Sequence, residues 1–294
     1  MSKLKKIVHK YLFQLGIRKY SSKQKRVMGV INKKYKYKKN KNKSDDSLIF
    51  FTTHKCASNY IKELLNFIEF NSEYSTFDYG KLVGGLADEL KIKGQVEGFL
   101  NLNYKKLFFS KGEIYGPQRM PLNFTGLEKY KSIFFLRDPR DVLISSYYSF
   151  GYSHPEPSSV NLKEIHLTKR NHIQNTTIDA YVLDQAKSWI LPMYSEYNRL
   201  YLSCQNSLFL SYDLFINDTE KFLVNIFNFL NIEINDSEIS EFAKKASPIV
   251  ENVSIQNHKR SGRSRQWEYE LSEEVQKKLI VLLDPILKDW DFER

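Results

Sequence analysis

Short apolar runs alternate along the chain with segments of helical periodicity. Residues 48–51 and 133–136 are unbroken apolar runs, the pattern of strands that are buried on both faces of a sheet. Amphipathic patterns typical of helices span residues 178–200, 218–231 and 272–288. This alternation predicts a single α/β domain in which helices flank a central parallel sheet.

The second apolar run ends in a motif with candidate anion-binding chemistry. Arg137 follows it directly, and an Asp-Pro-Arg-Asp turn then opens a predicted helix that carries Ser145, eight residues after Arg137. Pro139 suits the first turn of a helix, where its missing N–H costs nothing. Ligands of open α/β sheets bind at the carboxyl edge. A planar guanidinium with a hydroxyl beside it therefore indicates a phosphate site at this edge.

The first apolar run leads into a second candidate phosphate loop. Residues 52–59 (TTHKCASN) connect it to a helical pattern that begins near Tyr60. Backbone N–H groups at a helix start attract phosphate, and Lys55 adds a positive charge beside them. The loop contains no glycine and does not match G-x-x-x-x-G-K-[ST]. An ATPase or GTPase loop is therefore disfavoured.

Four segments resemble the PAPS-dependent sulfotransferases. Residues 55–60 (KCASNY) lie where these enzymes carry their 5′-phosphosulfate loop, and residues 137–145 match their 3′-phosphate motif, Arg-x-Pro-x-Asp followed by Ser. Residues 260–267 (RSGRSRQW) are similar to the family's Arg-Lys-Gly…Trp loop, and Tyr212 ends a predicted strand in a Tyr-Asp step. The resemblance covers about residues 48–292. It implies a three-layer architecture like that of P-loop kinases.

The resemblance also implies which residues bind the donor, 3′-phosphoadenosine 5′-phosphosulfate (PAPS). Lys55 would stabilise the leaving group. The loop and helix start would bind the 5′-phosphate through Cys56, Ala57, Ser58 and Asn59. The implied ligands of the 3′-phosphate are Arg137, Ser145, Arg260, Ser261 and Gly262. Tyr60 would stack on adenine, and Tyr212 would bind the edge of that base. No metal is implied, and no spacing in the sequence is typical of a metal site.

Two loop positions depart from the family pattern. Ala57 replaces a glycine, so its backbone must keep a negative φ or carry strain. Ser261 replaces a lysine of the third loop, and Lys259 or Arg263 are the candidates to compensate for the missing charge.

The catalytic base is open. Family members commonly place a His after the middle strand, and a gapless count back from the 3′-phosphate motif reaches Tyr115. A tyrosine, with an ordinary pKa of about 10, is a weak base unless a cation such as Arg119 lowers that pKa. Glu113 and His54 are the alternative candidates.

The net charge of +11 is concentrated at the N-terminus. Residues 1–46 hold 16 Lys plus Arg against 2 Asp, and the rest of the chain holds 29 against 32 acidic residues. We therefore divide the chain into a basic arm or linker, residues 1–46, and a sulfotransferase domain, residues 47–294. Residues 4–15 have the pattern of a basic amphipathic helix that would dock on the domain or contact a membrane peripherally. Residues 33–43 predict a flexible basic linker, and nucleic-acid binding is disfavoured because a charge run alone is seldom specific.

Composition predicts a cytoplasmic location, with peripheral membrane contact as the alternative. No apolar run reaches the roughly 18 residues that a membrane span needs, and no signal-peptide pattern is present. The 2 cysteines do not form a disulfide scaffold and suit a reducing compartment.

Residues 74–118 and 150–177 are the candidate acceptor-binding segments, and the second predicts a long polar lid loop. A Gly116-Pro117 step within the first predicts a turn that ends a strand. The acceptor is open among hydroxyls of a glycan, a lipid or a phenolic small molecule, or an amine, and the mildly acidic domain favours a neutral one. Two other functions stay open: a non-catalytic nucleotide or polyanion binder on the same scaffold and, with less support, a nucleotide kinase.

Overall fold

A parallel five-stranded sheet forms the centre of the molecule. The computed structural model describes residues 22–35, 45–89, 96–157, 160–245 and 262–292. The strands are β1 (Leu48–Thr52), β2 (Ser75–Phe77), β3 (Glu113–Gln118), β4 (Lys131–Leu136) and β5 (Ser207–Ser211). Their order across the sheet is β2-β3-β1-β4-β5, and every neighbouring pair is parallel. The predicted α/β domain with a parallel sheet is confirmed.

Helices cover both faces of the sheet. In chain order they are α1 (Ser22–Tyr35), α2 (Ser58–Phe70), α3 (Tyr79–Glu89), α4 (Val96–Leu102), α5 (Tyr104–Leu107), α6 (Pro139–Tyr148), α7 (Val160–Gln174), α8 (Ile178–Gln185), α9 (Leu191–Ser203), α10 (Tyr212–Asn217), α11 (Thr219–Leu230), α12 (Asp236–Lys244), α13 (Trp267–Glu270) and α14 (Glu273–Asp289). A 3₁₀ turn spans Leu127–Lys129, and π-helical turns span Ser149–Ser153 and Ala186–Ile190.

Alternation along the strands distributes apolar side chains to two cores. Successive residues of a strand point to opposite faces, so Phe50 and Phe135 pack in the core that helices α2 and α11 cover. Phe51 and Phe134 point the other way, into the larger core that helices α9 and α14 cover. Both faces of the sheet are apolar, which explains why β1 and β4 read as unbroken apolar runs rather than as alternating patterns.

The strand order creates a crevice between β1 and β4. The chain leaves β1 toward β2 at one margin of the sheet, and it leaves β4 toward β5 at the other margin. Connections that diverge from adjacent parallel strands leave an opening at the carboxyl ends, and ligands of open α/β sheets bind at such switch points. Whatever follows Thr52 and Leu136 therefore lies at this opening.

The Gly116-Pro117 step does not end strand β3, contrary to the prediction. The strand continues to Gln118, and its pairing with β1 shifts by one residue between Ile49 and Phe51. A side-chain Cβ at position 116 would lie 2.8 Å from Cβ of Phe50, so only glycine permits this close approach of the two strands. The irregular pairing accommodates both residues inside the sheet.

Part of the basic arm packs on the domain. Helix α1 buries Val27, Ile31 and Tyr35 in the larger core, and the Tyr35 ring lies 4.8 Å from that of Phe77 in β2. The predicted flexible linker at residues 33–43 is therefore wrong for residues 33–35, which form the last turn of α1 with Tyr35 buried in the larger core. Residues 36–43 lie outside the described residues. The amphipathic segment at residues 4–15 lies outside the described residues.

The segment predicted as a long lid loop is mostly helical. Its residues form the π-helical turn Ser149–Ser153 and helix α7, since Arg170 and Gln174 of that helix donate to the backbone carbonyls of His154 and Gly151. These two hydrogen bonds hold helix α7 against the π-helical turn, although the sequence of α7 is polar and has no strong apolar face. Among the described residues, no helix is long and apolar enough to cross a membrane.

Candidate functional site

The loop after β1 presents Lys55 and an open helix start at the crevice. Lys55 and Ala57 both adopt left-handed backbone conformations, with φ of 66° and 42°. Helix α2 begins at Ser58, and its N-cap residue, Ala57, makes no side-chain cap to the first N–H groups. The first N–H groups of a helix have no intrahelical acceptor. Three features therefore coincide here: unsatisfied donors, the positive end of the helix dipole and an ammonium group.

Ala57 has a strained backbone, which is the second of the two alternatives that its replacement of a glycine predicts. Its φ is positive, and a Cβ in the left-handed region costs roughly 1–2 kcal/mol relative to the right-handed region. Residues held in such conformations cluster at ligand-binding loops, where surrounding contacts over-determine the backbone.

Arg137 lies at the carboxyl end of β4, directly beside this loop. Its side chain is only 3% exposed, and its terminal nitrogens donate to the backbone carbonyls of Lys55 at 3.1 Å and Arg263 at 2.6 Å. The guanidinium lies 4.4 Å from the centre of the Tyr212 ring. Its Nε–H has no hydrogen-bond partner among the described residues. A buried, unpaired donor on an arginine is typical of a site that is completed by an anionic ligand.

Three residues that follow Arg137 connect helix α6 to the C-terminal loop, which is the segment that ends at Trp267. Asp138 caps the helix and pairs with Arg140 at 2.6 Å. The Arg140 guanidinium stacks 3.7 Å from the centre of the Trp267 ring. Asp141 accepts a hydrogen bond from the Trp267 N–H at 3.3 Å, and its other oxygen lies 3.6 Å from Arg137. These residues therefore hold the C-terminal loop in place, while Arg137 contributes the positive charge.

Tyr212 completes the contact between the strand ends and the C-terminal loop. It begins helix α10 after β5, and its hydroxyl donates to the carbonyl of Gly262 at 3.0 Å. Gly262 has a φ of 66°, a conformation that suits glycine. Arg260 and Ser261, the other ligands expected from this loop, lie outside the described residues, as does Lys259.

The electrostatic environment changes the protonation of two side chains at the crevice. Burial and the charge of Arg137 lower the pKa of Lys55 to about 8. Desolvation within the cleft, together with the charges of Arg119, Lys55 and His154, lowers the pKa of His54 to about 4, although part of that imidazole is open to solvent. His54 is therefore neutral at physiological pH, and one of its ring nitrogens carries no proton.

Two of the candidate bases lie away from the crevice. The Tyr115 side chain packs in the larger core, and its hydroxyl accepts a hydrogen bond from the Phe109 N–H at 2.6 Å. Burial raises its pKa well above the ordinary value. Glu113 begins β3 and is paired with β2 at Ser75, so it lies at the amino edge of the sheet, roughly 16 Å of strand from the carboxyl edge. Because β3 extends to Gln118, the residues at its carboxyl end are Gln118 and Arg119. The gapless count, which placed Tyr115 there, is therefore wrong.

The other candidate ligands differ in what they present. Ser58 and Asn59 occupy the first turn of α2. Ser145 follows Asp141 by one turn on α6, which places it on the same face of the helix, and it is partly exposed. Cys56 points into the smaller core, where its thiol donates to the Phe135 carbonyl and burial raises its pKa to about 12, so only its backbone faces the loop. Tyr60 is half-buried with its ring 4.8 Å from that of Phe215.

Two tyrosines of helix α9 support the crevice and were not identified from the sequence. The Tyr194 hydroxyl donates to the Arg137 carbonyl, and the Tyr197 hydroxyl donates to the Thr52 carbonyl at 2.6 Å. Both strand ends are therefore tied to the same helix. The only sequence signal was a pair of tyrosines three residues apart on a predicted helix, which ordinarily indicates core packing. Among the described residues, no cluster of three or more His, Cys, Asp or Glu side chains is placed to hold a metal ion.

Comparison with known families and structures identifies this arrangement. The sequence model of one family, described as "Sulfotransferase domain", matches residues 45–291. The match covers most of the chain, and the chain therefore belongs to the sulfotransferase family. No curated protein is significantly similar to it in sequence.

Solved structures share the fold at low sequence identity. Mouse sulfotransferase SULT7A1 complexed with PAP is 17% identical, with a TM-score of 0.57, and the match covers 84% of this chain and 86% of that one. Retinol dehydratase in complex with androsterone and the inactive cofactor PAP is 14% identical, with a TM-score of 0.55, and the match covers 84% and 82% of the two chains. The P-loop-like sulfotransferase architecture is thereby confirmed.

Proposed function

We propose that this sulfotransferase moves a sulfuryl group from PAPS to a hydroxyl, or an amine, of its acceptor. The observation that carries the proposal is the meeting of Lys55, the uncapped start of helix α2 and the buried Arg137 at the carboxyl ends of adjacent strands. PAPS carries anionic groups at its 5′ and 3′ positions, and this crevice offers separate cationic sites for two of them. Two structural neighbours bound to PAP add support at the level of the family.

The 5′ end of the donor would bind to the loop after β1. In sulfuryl transfer the acceptor oxygen bonds to sulfur as the sulfur–oxygen bond to the 5′-phosphate breaks, so negative charge grows on the bridging oxygen. Lys55 would neutralise that charge, and the free N–H groups of Ser58 and Asn59 would bind the phosphate oxygens. Such catalysis needs positioning and charge stabilisation rather than a covalent intermediate on the protein.

The 3′-phosphate would bind at Arg137, with Ser145 one helical turn from Asp141 as a neutral donor. The unpaired Nε–H of Arg137 supports this role, because a ligand would satisfy it. Arg260, Ser261 and Gly262 would contribute from the C-terminal loop, which Tyr212 and Trp267 hold over the same strand end. Tyr60 is the proposed stacking partner of adenine.

His54 is the proposed catalytic base. It is neutral, it lies beside Lys55, and its side chain is open to solvent. Binding of the anionic donor would raise its pKa toward neutrality, since an adjacent negative charge favours the imidazolium form. It would then accept the acceptor's proton as the new sulfur–oxygen bond forms.

Calorimetric titration of 3′-phosphoadenosine 5′-phosphate (PAP) without added metal tests the donor site. We expect saturable PAP binding to the wild-type protein. The affinity for PAP should fall at least ~100-fold in Arg137→Ala, because a buried charged contact is removed. The affinity should not change in the exposed control Lys129→Met. Circular dichroism of each variant checks that it is folded. No PAP binding by the folded wild-type protein would refute the proposal, and binding of ATP only in the presence of Mg²⁺ would favour a kinase.

Turnover separates the enzyme from a non-catalytic binder. PAP release from PAPS is measured with a panel of hydroxyl and amine acceptors, using wild-type protein and His54→Ala. A binder on this scaffold would retain PAP affinity and release no PAP with any acceptor.

A further inference from the structure

One cation follows each of four neighbouring strands at the carboxyl edge of the sheet. In spatial order they are Lys81 after β2, Arg119 after β3, Lys55 after β1 and Arg137 after β4. In strand order the four cations make a row along the carboxyl side of the sheet, with Lys81 in the first turn of helix α3 and the other three in the connections that follow their strands. The start of α3 lies against the end of β3, since a Cβ at Gly80 would be 3.8 Å from the Gln118 side chain. The proposed donor site uses only Lys55 and Arg137, which leaves the half of the row at β2 and β3 without an assigned function.

A third cation joins that half. Lys62, on the second turn of α2, lies beside Lys81, where the two ammonium groups repel each other, and the charge of Arg119 also acts on Lys81 and on His54. We name Lys62, Lys81 and Arg119 the basic cluster. Lys62 and Lys81 are exposed and Arg119 is partly exposed, so a ligand from solvent reaches all three.

The acidic side chains that the structure describes around the basic cluster offset only part of its charge. Asp78 accepts a hydrogen bond from the Lys81 N–H at 2.9 Å, and its carboxylate acts on the Lys81 ammonium. The charges of Glu97 and Arg119 both act on the buried hydroxyl of Tyr197, so the Glu97 carboxylate is a second acidic group near Arg119. Contact between two ammonium groups is unfavourable in the free protein, and the pKa of Lys81 is lowered accordingly. Like charges that are held together at a cleft commonly serve a ligand of opposite charge.

We propose that the basic cluster is an acceptor subsite that binds an anionic group, a carboxylate or a sulfate ester, carried by the acceptor beside its reacting hydroxyl. Arg119 offers a planar fork to such a group, and the two lysines act as point charges. The hydroxyl would then face His54, next to Lys55. The net charge of the whole domain favoured a neutral acceptor, but the local charge at this edge decides binding. The inference rests on the proposed function.

Inorganic sulfate is the probe for this subsite. The protein is first saturated with PAP, which occupies the donor site, and sulfate is then titrated by calorimetry at constant ionic strength. We expect saturable sulfate binding that weakens at least tenfold in the double variant Lys81→Gln, Arg119→Gln, and that is unchanged in Lys129→Gln. Partial retention in Arg119→Lys would agree with a charge contact that loses the fork geometry.

The outcomes are distinguishable. PAP affinity of the double variant must equal that of the wild-type protein, which shows that the fold and the donor site are intact. Absence of saturable sulfate binding to the PAP complex, or equal binding by the double variant (an adventitious ion only), overturns the inference and leaves the proposed function standing. Failure of PAP itself to bind removes the proposed function and the inference with it.

Discussion

Replacement of Lys55 by methionine is expected to stabilise the free protein. Burial and Arg137 lower the pKa of Lys55 from 10.5 to about 8. One pKa unit corresponds to about 1.36 kcal/mol, so the charged form destabilises the folded state by at most about 3 kcal/mol at neutral pH. Because part of the side chain reaches solvent, which screens the charge, we expect Lys55→Met to add about 1–2 kcal/mol to the free energy of unfolding. The corresponding rise in Tm is about 2–6 °C.

The pH dependence identifies the cause. The pKa of Lys55 is lower in the folded than in the unfolded state, so the unfolded chain binds more protons between about pH 8 and 10.5. Wild-type stability therefore gains with rising pH in this interval. The advantage of Lys55→Met should be complete below about pH 8 and should disappear near pH 10.5. Urea unfolding at several pH values measures it, with the exposed Lys129→Met as the matched control.

The same substitution should act oppositely on ligand binding. Loss of a charge-assisted contact is expected to weaken PAP binding by roughly 10- to 100-fold. A more stable protein that binds PAP poorly would show that Lys55 is held in an unfavourable environment for its function. A variant that is less stable than the wild type at pH 7, or one whose difference from the wild type does not vary with pH, would refute the reasoning.

Further expected outcomes concern strain, catalysis and pH. Ala57→Gly should raise the free energy of unfolding by roughly 0.5 kcal/mol through relief of the positive φ, less the added entropy of the unfolded chain, whereas the helical control Ala180→Gly should lower it in the same thermal assay. His54→Ala should reduce kcat by about 10²-fold or more, while Tyr115→Phe should keep kcat and lose about 1 kcal/mol of stability; the reverse pattern in a PAP-release assay would exclude His54 as the base. Burial raises the pKa of Asp141 to about 6, so the folded state binds more protons than the unfolded state between about pH 4 and 6 and wild-type stability falls as pH rises through that window. Asp141→Asn should flatten this fall in urea unfolding, and an unchanged slope would contradict the assignment.

The two phosphate loops were predictable because each lies within one short stretch of chain. A buried apolar run, a helix start and the cation between them are local features, and local features appear directly in the sequence. The strand ends that carry Lys55 and Arg137 are adjacent in the sheet, as an ordered set of motifs implied. The family and its fold followed from the same segments and are confirmed.

Counting along the sequence could not locate the residues at the carboxyl end of β3. The position depends on where β3 ends, and β3 extends through Gly116 and Pro117 because glycine allows close approach to Phe50. A gapless count takes no account of an irregular register. Once the register is known, Tyr115 lies in the core and Arg119 at the edge.

The sequence by itself determined the parallel α/β sheet, the order of the motifs and the cations at two strand ends, since apolar runs and helix starts are properties of neighbouring residues. The tertiary structure decided what distant segments do together. It brought Tyr194 and Tyr197 to the strand ends, helix α1 into the core, and Lys62, Lys81 and Arg119 into one cluster. Contacts between residues far apart in sequence depend on strand order and register, which no local pattern encodes.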